Sequence, residues 1–232
     1  MLKVVCYSIY HSPNAYLGIL LAERALKGLP GEVERRPICI PKARGVKVAD
    51  LVGSKEPPVK GGYHREDCAR WAKKYGIELN FLAPGIFEQR AERWQKSPFD
   101  REELPARAYY AACGTGKETL FDHALFRAAW VEGLDVNEES VVRRAASLAG
   151  LDPDSLIARA LQDETRHRLD ASLAAFERDH CPGVPTWVLN GERFWGKDRV
   201  EWLVERVKSL IAKTPNLGLR SSRRCNWTIF LQ

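Results

Sequence analysis

Three short stretches of this chain combine residue types able to hold and activate an anion. The first is Ser12-Pro13, between a strand-like run (LKVVCYSIY) and a helix-like one. A strand-to-helix junction leaves N–H groups unpaired at the helix start, where the macrodipole is positive. Serine is a good N-cap there, and proline suits the next position. The same hydroxyl and N–H groups would stabilise an anion such as a thiolate. On these two residues alone, a structural cap and an anion site both stand. The second stretch is Gly183-Val184-Pro185-Thr186. Proline at a strand entry belongs at an edge or a bend. A cis Val184–Pro185 bond would turn the preceding backbone N–H and C=O outward to meet a peptide-like ligand. The dipeptide by itself favours trans, since cis occurs in about 5% of such bonds. The third stretch is Phe194-Trp195-Gly196-Lys197-Asp198-Arg199. Asp198 in the first turn of a helix complements its dipole, or it pairs with the amino group of a ligand.

The elements that must position these residues can be read from periodicity. A β-branched and aromatic run over residues 2–10 predicts a strand. Apolar positions at Tyr16, Leu17, Leu20, Leu21, Ala25 and Leu26 predict a helix over residues 13–27, stopped by Gly28. EVERRPICI predicts a second strand. The middle of the chain is helical in pattern. HREDCARWAKKYG puts Cys68, Trp71, Ala72 and Tyr75 on one face, and one or two helices follow up to Gly133. Asn137 is a candidate N-cap for a helix ending at Gly150, and Asp152-Pro153 opens another. Strand character returns at TWVL and ERFW, which flank Asn190-Gly191, a type I′ hairpin signal. A last amphipathic helix runs over 197–212. A β-α-β half and a β-β-α half make one small mixed sheet. The helices between them form an insertion. This predicts two halves of one domain at 1–45 and 180–213, a helical insertion at 46–179, and a tail at 214–232.

Composition narrows the function classes. Of 232 residues, 45% are hydrophobic and 28% charged, as in an ordinary globular protein with a real core. No apolar run reaches the roughly 20 residues that span a bilayer, and the N-terminal residues form a strand pattern rather than a leader. The expectation is a cytoplasmic protein with no membrane partner. Half of the +6 formal charge lies in the last 19 residues, which hold Arg220, Arg223 and Arg224 and no acid. No basic stripe interleaved with aromatics appears, so no nucleic-acid partner is expected; a small anionic ligand suits the modestly basic body. The cysteines, Cys6, Cys39, Cys68, Cys113, Cys181 and Cys225, include no C-x-x-C pair and no zinc-ligand spacing. They read as buried thiols in a reducing compartment, and no metal site is expected. Trp195 and Trp202 read as core or interface aromatics.

Taken together, SPNAYLG, EPPVKGGYHREDCARWAKKYGI and GVPTWVLNGERFWGKDRVEWL resemble the corresponding segments of the 2-hydroxychromene-2-carboxylate isomerase family. That family is close to kappa-class glutathione transferases and to DsbA-like oxidoreductases. The likeness runs from about Leu2 to Ile211. It implies an α/β, thioredoxin-like fold with a helical insertion domain, glutathione as cofactor, an unsaturated aromatic keto-acid as substrate, and a homodimer. Carried over residue by residue, it implies that Ser12 faces the glutathione sulfur. The backbone of Val184, before a cis Pro185, would hold the cysteinyl part. Asp198 would meet the γ-glutamyl end, with Lys197 and Arg199 beside it. Lys60 would be a basic residue near the site, and Asn14, Ser54 and Trp195 would line the substrate side. The chain departs from the family in two places. Asn14-Ala15 replaces the second half of S-P-Y-S, and Gly53-Ser54-Lys55-Glu56 stands where an Asn is frequent.

The implied reaction is glutathione-dependent cis–trans isomerisation. A thiolate adds reversibly to a conjugated carbon, the former double bond turns, and expulsion of the thiolate restores it. A kappa-type transferase or peroxidase needs the same thiolate and remains an alternative, as does a silent relative that only binds a thiol ligand. A dithiol cycle is not available, because Ser12 and Ala15 occupy the two C-x-x-C positions.

Overall fold

The computed structural model describes residues 2–42, 59–83 and 86–213. Ser54 and the 214–232 tail lie outside them. The chain divides into two compact units, one of Met1–Pro37 with Ala174–Gln232 and one of Ile38–Leu173.

The first unit is built on a four-stranded mixed sheet. Strand β1 (Lys3–Ser8) is followed by helix α1 (Pro13–Leu26) and strand β2 (Glu32–Pro37), which pairs parallel to β1 with Lys3 opposite Glu32. Strand β3 (Thr186–Leu189) lies antiparallel on the other side of β1, Cys6 facing Trp187. Strand β4 (Glu192–Trp195) completes the order β2-β1-β3-β4. Asn190 and Gly191 both take positive φ, 51° and 82°, as a type I′ turn requires. A 3₁₀ turn (Lys197–Arg199) then leads into a long helix at Val200–Ala212. Val200, Leu203, Val204 and Val207 form its buried stripe at helical spacing. The predicted strand at EVERRPICI is shorter than its apolar run, because Pro37 has no N–H to continue a ladder. Ile40 instead makes an isolated bridge to Arg101 within the second unit.

Side chains of β1 alternate between faces. Tyr7 is fully buried and meets the Phe176 ring edge-on at 5.5 Å. Its hydroxyl donates to Asp179 Oδ2 at 2.7 Å. Burial, and then that hydrogen bond, push the Tyr7 phenol up to about 12. On the opposite face the Arg35 guanidinium donates to Cys6 Sγ and Ser8 Oγ, each at 3.0 Å.

Helix α1 has a close neighbour along one stripe. A Cβ placed on Gly18 would stand 3.1 Å from Pro185 Cγ and 3.4 Å from Lys197 Cα. The glycine is there because two backbones come together, not because the helix needs flexibility.

Within the described residues the second unit is helical. It contains α2 (Val59–Tyr75), α3 (Ile86–Lys96), α4 (Glu103–Ala112), α5 (Glu118–Trp130), α6 (Glu139–Leu148) and α7 (Pro153–Ala160). Helix α8 (Asp163–Arg178) supplies its first residues to this unit and those from Ala174 onward to the first. Phe121, Leu125, Phe126, Val142, Leu156 and Leu169 are buried here. The buried pair Glu103–Arg107 closes at 3.0 Å, and Trp94 Nε1 donates to Asp135 Oδ2 at 3.1 Å. Asp152 caps α7 as expected, its Oδ1 accepting from Ser155 N–H at 2.8 Å. Asn137 does not cap α6, which starts after Glu138. Its Oδ1 instead accepts from the backbone N–H of Glu102 at 2.8 Å, a residue in the left-handed region at φ 72°. That contact draws the amide away from the helix start.

Two outcomes are expected. Gly18→Val should destabilise the first unit by about 1–3 kcal/mol through overpacking against Pro185 and Lys197, read as a lower urea midpoint; an unchanged midpoint would mean the gap is not tight. The raised Tyr7 phenol favours the folded state fully below its ordinary pKa of 10.0. That contribution should be lost as pH climbs from 10.0 through about 12. The stability difference between the native protein and Tyr7→Phe should therefore shrink over that window, and a flat difference would count against the Tyr7–Asp179 coupling.

Candidate functional site

The start of α1 is built by Ser12. Its backbone is extended at φ −103° and ψ 113°, and Pro13 takes the first helical position. Ser12 Oγ accepts from Ala15 N–H at 3.2 Å, and its carbonyl accepts from Tyr16 N–H at 3.0 Å. The residue is 9% exposed. Among the described residues its side chain makes no other hydrogen bond. The cap uses a lone pair of the oxygen, so the hydroxyl proton stays available to donate. The first turn of α1 holds no acidic residue. A buried donor at the positive end of a helix is suited to an anion.

The Val184–Pro185 bond is cis. Val184 is half-buried, and its backbone takes part in none of the hydrogen bonds among the described residues. The neighbouring groups are satisfied. Gly196 N–H donates to the Pro185 carbonyl at 2.9 Å, and Thr186 Oγ1 donates to the Gly183 carbonyl at 2.6 Å. Through Gly18, the second turn of α1 lies against Pro185 and Lys197.

Three consecutive residues that sequence grouped together part company here. Lys197 is 5% exposed and donates from Nζ to Asn14 Oδ1 at 2.9 Å. Asp198 is exposed and Arg199 half-buried, and they pair with each other, Arg199 Nη1 to Asp198 Oδ2, at 2.7 Å. Gly196 sits at φ +104°, where a Cβ would fall 2.5 Å from Asp198 Oδ1, so the turn into the carboxylate admits only glycine. Trp195 and Trp202 are not core residues, at 54% and 58% exposure. Trp195 lies over Gly183, its Nε1 2.9 Å from where a Cβ would stand, and Arg199 stacks over the Trp202 ring at 4.8 Å. Of the core and interface readings of these two side chains, exposure removes the first, since tryptophan serves core and surface sites alike. The structure thus brings Asn14, Pro185 and Lys197 to the helix that Ser12 starts. Lys60 falls in the first turn of α2, with its side chain outside the described set, as Ser54 is altogether. The Asn14–Lys197 contact and the role of Gly18 had no local signal in the sequence.

Three of the described thiols, Cys39, Cys113 and Cys181, are not activated. Burial, then the Asp179 charge, push Cys181 up to about 11, and burial pushes Cys39 to about 12 and raises Cys113. Among the described residues no three His, Cys, Asp or Glu side chains gather to hold a metal, and no helix is long and apolar enough to cross a membrane.

The DSBA-like thioredoxin domain family matches residues 3–208. A 2-hydroxychromene-2-carboxylate isomerase of Sphingobium xenophagum is 27% identical over 199 residues, 85% of this chain and 93% of that protein. The solved structure of a 2-hydroxychromene-2-carboxylate isomerase superposes with a TM-score of 0.72 at 24% identity, covering 93% of this chain and 98% of the other. The cytosolic disulfide reductase DsbM of Pseudomonas aeruginosa, solved with GSH, gives a TM-score of 0.58 at 17% identity, over 93% of this chain and all of the other. The thioredoxin-like fold with helical insertion expected from sequence is the fold observed.

A thiol raised to about 11 is almost wholly protonated near neutral pH. Cys181 in the native protein should therefore react with iodoacetamide at pH 7.5 at least about tenfold more slowly than free cysteine. Peptide mass mapping that finds rapid labelling of Cys181 would contradict this.

Proposed function

Because the chain belongs to the DSBA-like thioredoxin domain family, we propose that it is a glutathione-dependent cis–trans isomerase of the 2-hydroxychromene-2-carboxylate isomerase type, acting on an unsaturated aromatic keto-acid. One observation carries this: the Ser12 hydroxyl caps α1 with its oxygen and keeps its proton to give. The isomerase relative aligned over 85% of the chain supports the reaction class. The first turn of α1 holds no cysteine, and the raised thiols of Cys39, Cys113 and Cys181 make poor nucleophiles. A sulfur nucleophile is thus better brought by a ligand.

The residues present fit glutathione. When bound, it supplies the sulfur nucleophile whose reversible addition to a conjugated carbon lets the former double bond turn. Ser12 would donate a hydrogen bond from its hydroxyl to the sulfur and so favour its ionised form. The Val184 N–H and C=O pair with the cysteinyl backbone as one more strand partner would. Asp198 turns from Arg199 to the γ-glutamyl ammonium. Trp195 and Asn14 would serve the substrate side. A reducing cytoplasm would supply this thiol, which agrees with the absence of a disulfide among the described cysteines.

Magnitudes favour a single hydroxyl as enough. A free thiol with a pKa of about 8.5 is only a few per cent ionised at neutral pH. One charge-assisted hydrogen bond of about 1.5–3 kcal/mol, made mainly to the anion, lowers that by roughly one to two units. The helix end adds about 0.3–1 kcal/mol in the same direction.

Calorimetry with glutathione and the turnover of 2-hydroxychromene-2-carboxylate with and without it test the reading. Saturable binding and glutathione-dependent turnover are expected. Ser12→Ala should keep the fold, lose most activity and raise the pH midpoint of bound-thiol ultraviolet absorbance by about one to two units. An absent binding isotherm, or the same midpoint in Ser12→Ala, would reject it.

A further inference from the structure

Resting on the glutathione reading above, we propose that Trp202 is a positioning residue: it holds the Arg199 guanidinium over its ring, and so presents the N–H edge of that arginine to the α-carboxylate of the γ-glutamyl group, beside the ammonium assigned to Asp198.

Packing does not account for this tryptophan. The buried stripe of the helix at Val200–Ala212 is Val200, Leu203, Val204 and Val207, and Trp202 stands off it at 58% exposure. Its ring carries a cation instead. Arg199 Cζ lies 4.8 Å from the ring centroid, one turn back along the chain. Stability gives little reason for that cation either. Arg199 is the N-cap of the helix, where positive charge opposes the macrodipole. Its ion pair with Asp198 is at the surface, where such pairs contribute little.

The geometry leaves the arginine able to take a second anion. A guanidinium has several N–H donors in one plane. Among the described residues the Arg199 side chain makes one hydrogen bond, from Nη1 to Asp198 Oδ2 at 2.7 Å. Stacking on a ring uses the face of the guanidinium and none of its donors. The rest of the edge can meet a carboxylate in a fork. Asp198 is set from the other side by Gly196, with Oδ1 2.5 Å from where a Cβ would stand, and the Arg199 backbone N–H closes the turn on the Gly196 carbonyl at 3.3 Å. A carboxylate and a guanidinium therefore stand side by side on one short turn. The γ-glutamyl end of glutathione carries an ammonium and a carboxylate on one carbon, the complementary pair. When Asp198 turns to the ammonium it releases Arg199. An arginine with no further support would then spread over many rotamers, and the entropy of ordering it again would be charged to binding. The Trp202 ring keeps it in place.

Two ligands and three substitutions separate this from a structural role. The second ligand is glutathione with 4-aminobutyryl in place of γ-glutamyl, which lacks only the α-carboxylate. Calorimetric dissociation constants are the readout. The native protein should bind glutathione about tenfold or more tightly than the analogue, the size of one hydrogen bond between charged groups. Trp202→Leu should weaken glutathione binding by about two- to fivefold, the size of an exposed cation–π contact, and leave the analogue unchanged. Trp202→Phe keeps a ring and should recover most of that loss. Arg199→Met should bind the two ligands alike. Equal native affinity for both ligands, a Trp202→Leu loss that is absent or shared by the analogue, or no recovery in Trp202→Phe overturns the positioning role while leaving the glutathione reading intact. A native protein that binds neither ligand sinks that earlier reading, and this one with it.

Discussion

How near α1 can lie to the segment after β4 is set by a side chain that is missing. Gly18 presents bare backbone to Pro185 and Lys197, and any Cβ would have to displace one of them. Because the helix can come that close, the Lys197 stem follows α1 to Asn14. Because the same contact includes Pro185, the strand entry and the helix belong to one packed assembly within the first unit. Ser12 then places its hydroxyl at the end of a helix whose position is already fixed. The proposed chemistry needs a donor held still, and this packing holds it.

Local signals were readable where the chain itself supplies the physics. Ser12-Pro13 and Asp152-Pro153 both cap helices, because hydroxyl or carboxylate oxygen and pre-set φ act within three residues. Asn190-Gly191 forms its hairpin for the same reason. The sheet order follows from a β-α-β start and a β-β-α finish, which leave few ways to pair four strands. The resemblance of the SPNAYLG and GVPTWVLNGERFWG stretches pointed to the fold that the DSBA-like match agrees with.

Other features depend on partners far along the chain. Lys197 and Asn14 are separated by 183 positions, so no window of sequence contains their contact. Asn137 has the composition of a cap, yet it serves a backbone N–H of Glu102 35 positions away. Helix α3 sets Phe87, Ala91 and Trp94 at helical spacing in IFEQRAERWQK, a stripe of only three positions; of its described side chains Arg90 and Trp94 are the buried ones. Arg90 finds its partners in the Gly133 and Leu134 carbonyls. Periodicity counts only apolar residues, so the burial of the Arg90 guanidinium could not be read from it.

The order β2-β1-β3-β4 leaves β2 and β4 as the outer strands of this sheet. Both are richly ionic. On β2, Glu34 pairs with Lys3 at 2.7 Å and with Arg36 at 2.9 Å, and Pro37 offers no N–H at its end. On β4, Glu192 holds Arg206 at 2.5 Å and Arg193 is exposed. A foreign chain adding itself as a fifth strand would have to strip water from these charges. The sheet is therefore a poor template for runaway edge-to-edge growth, and crowded, concentrated solutions should not drive it toward fibres.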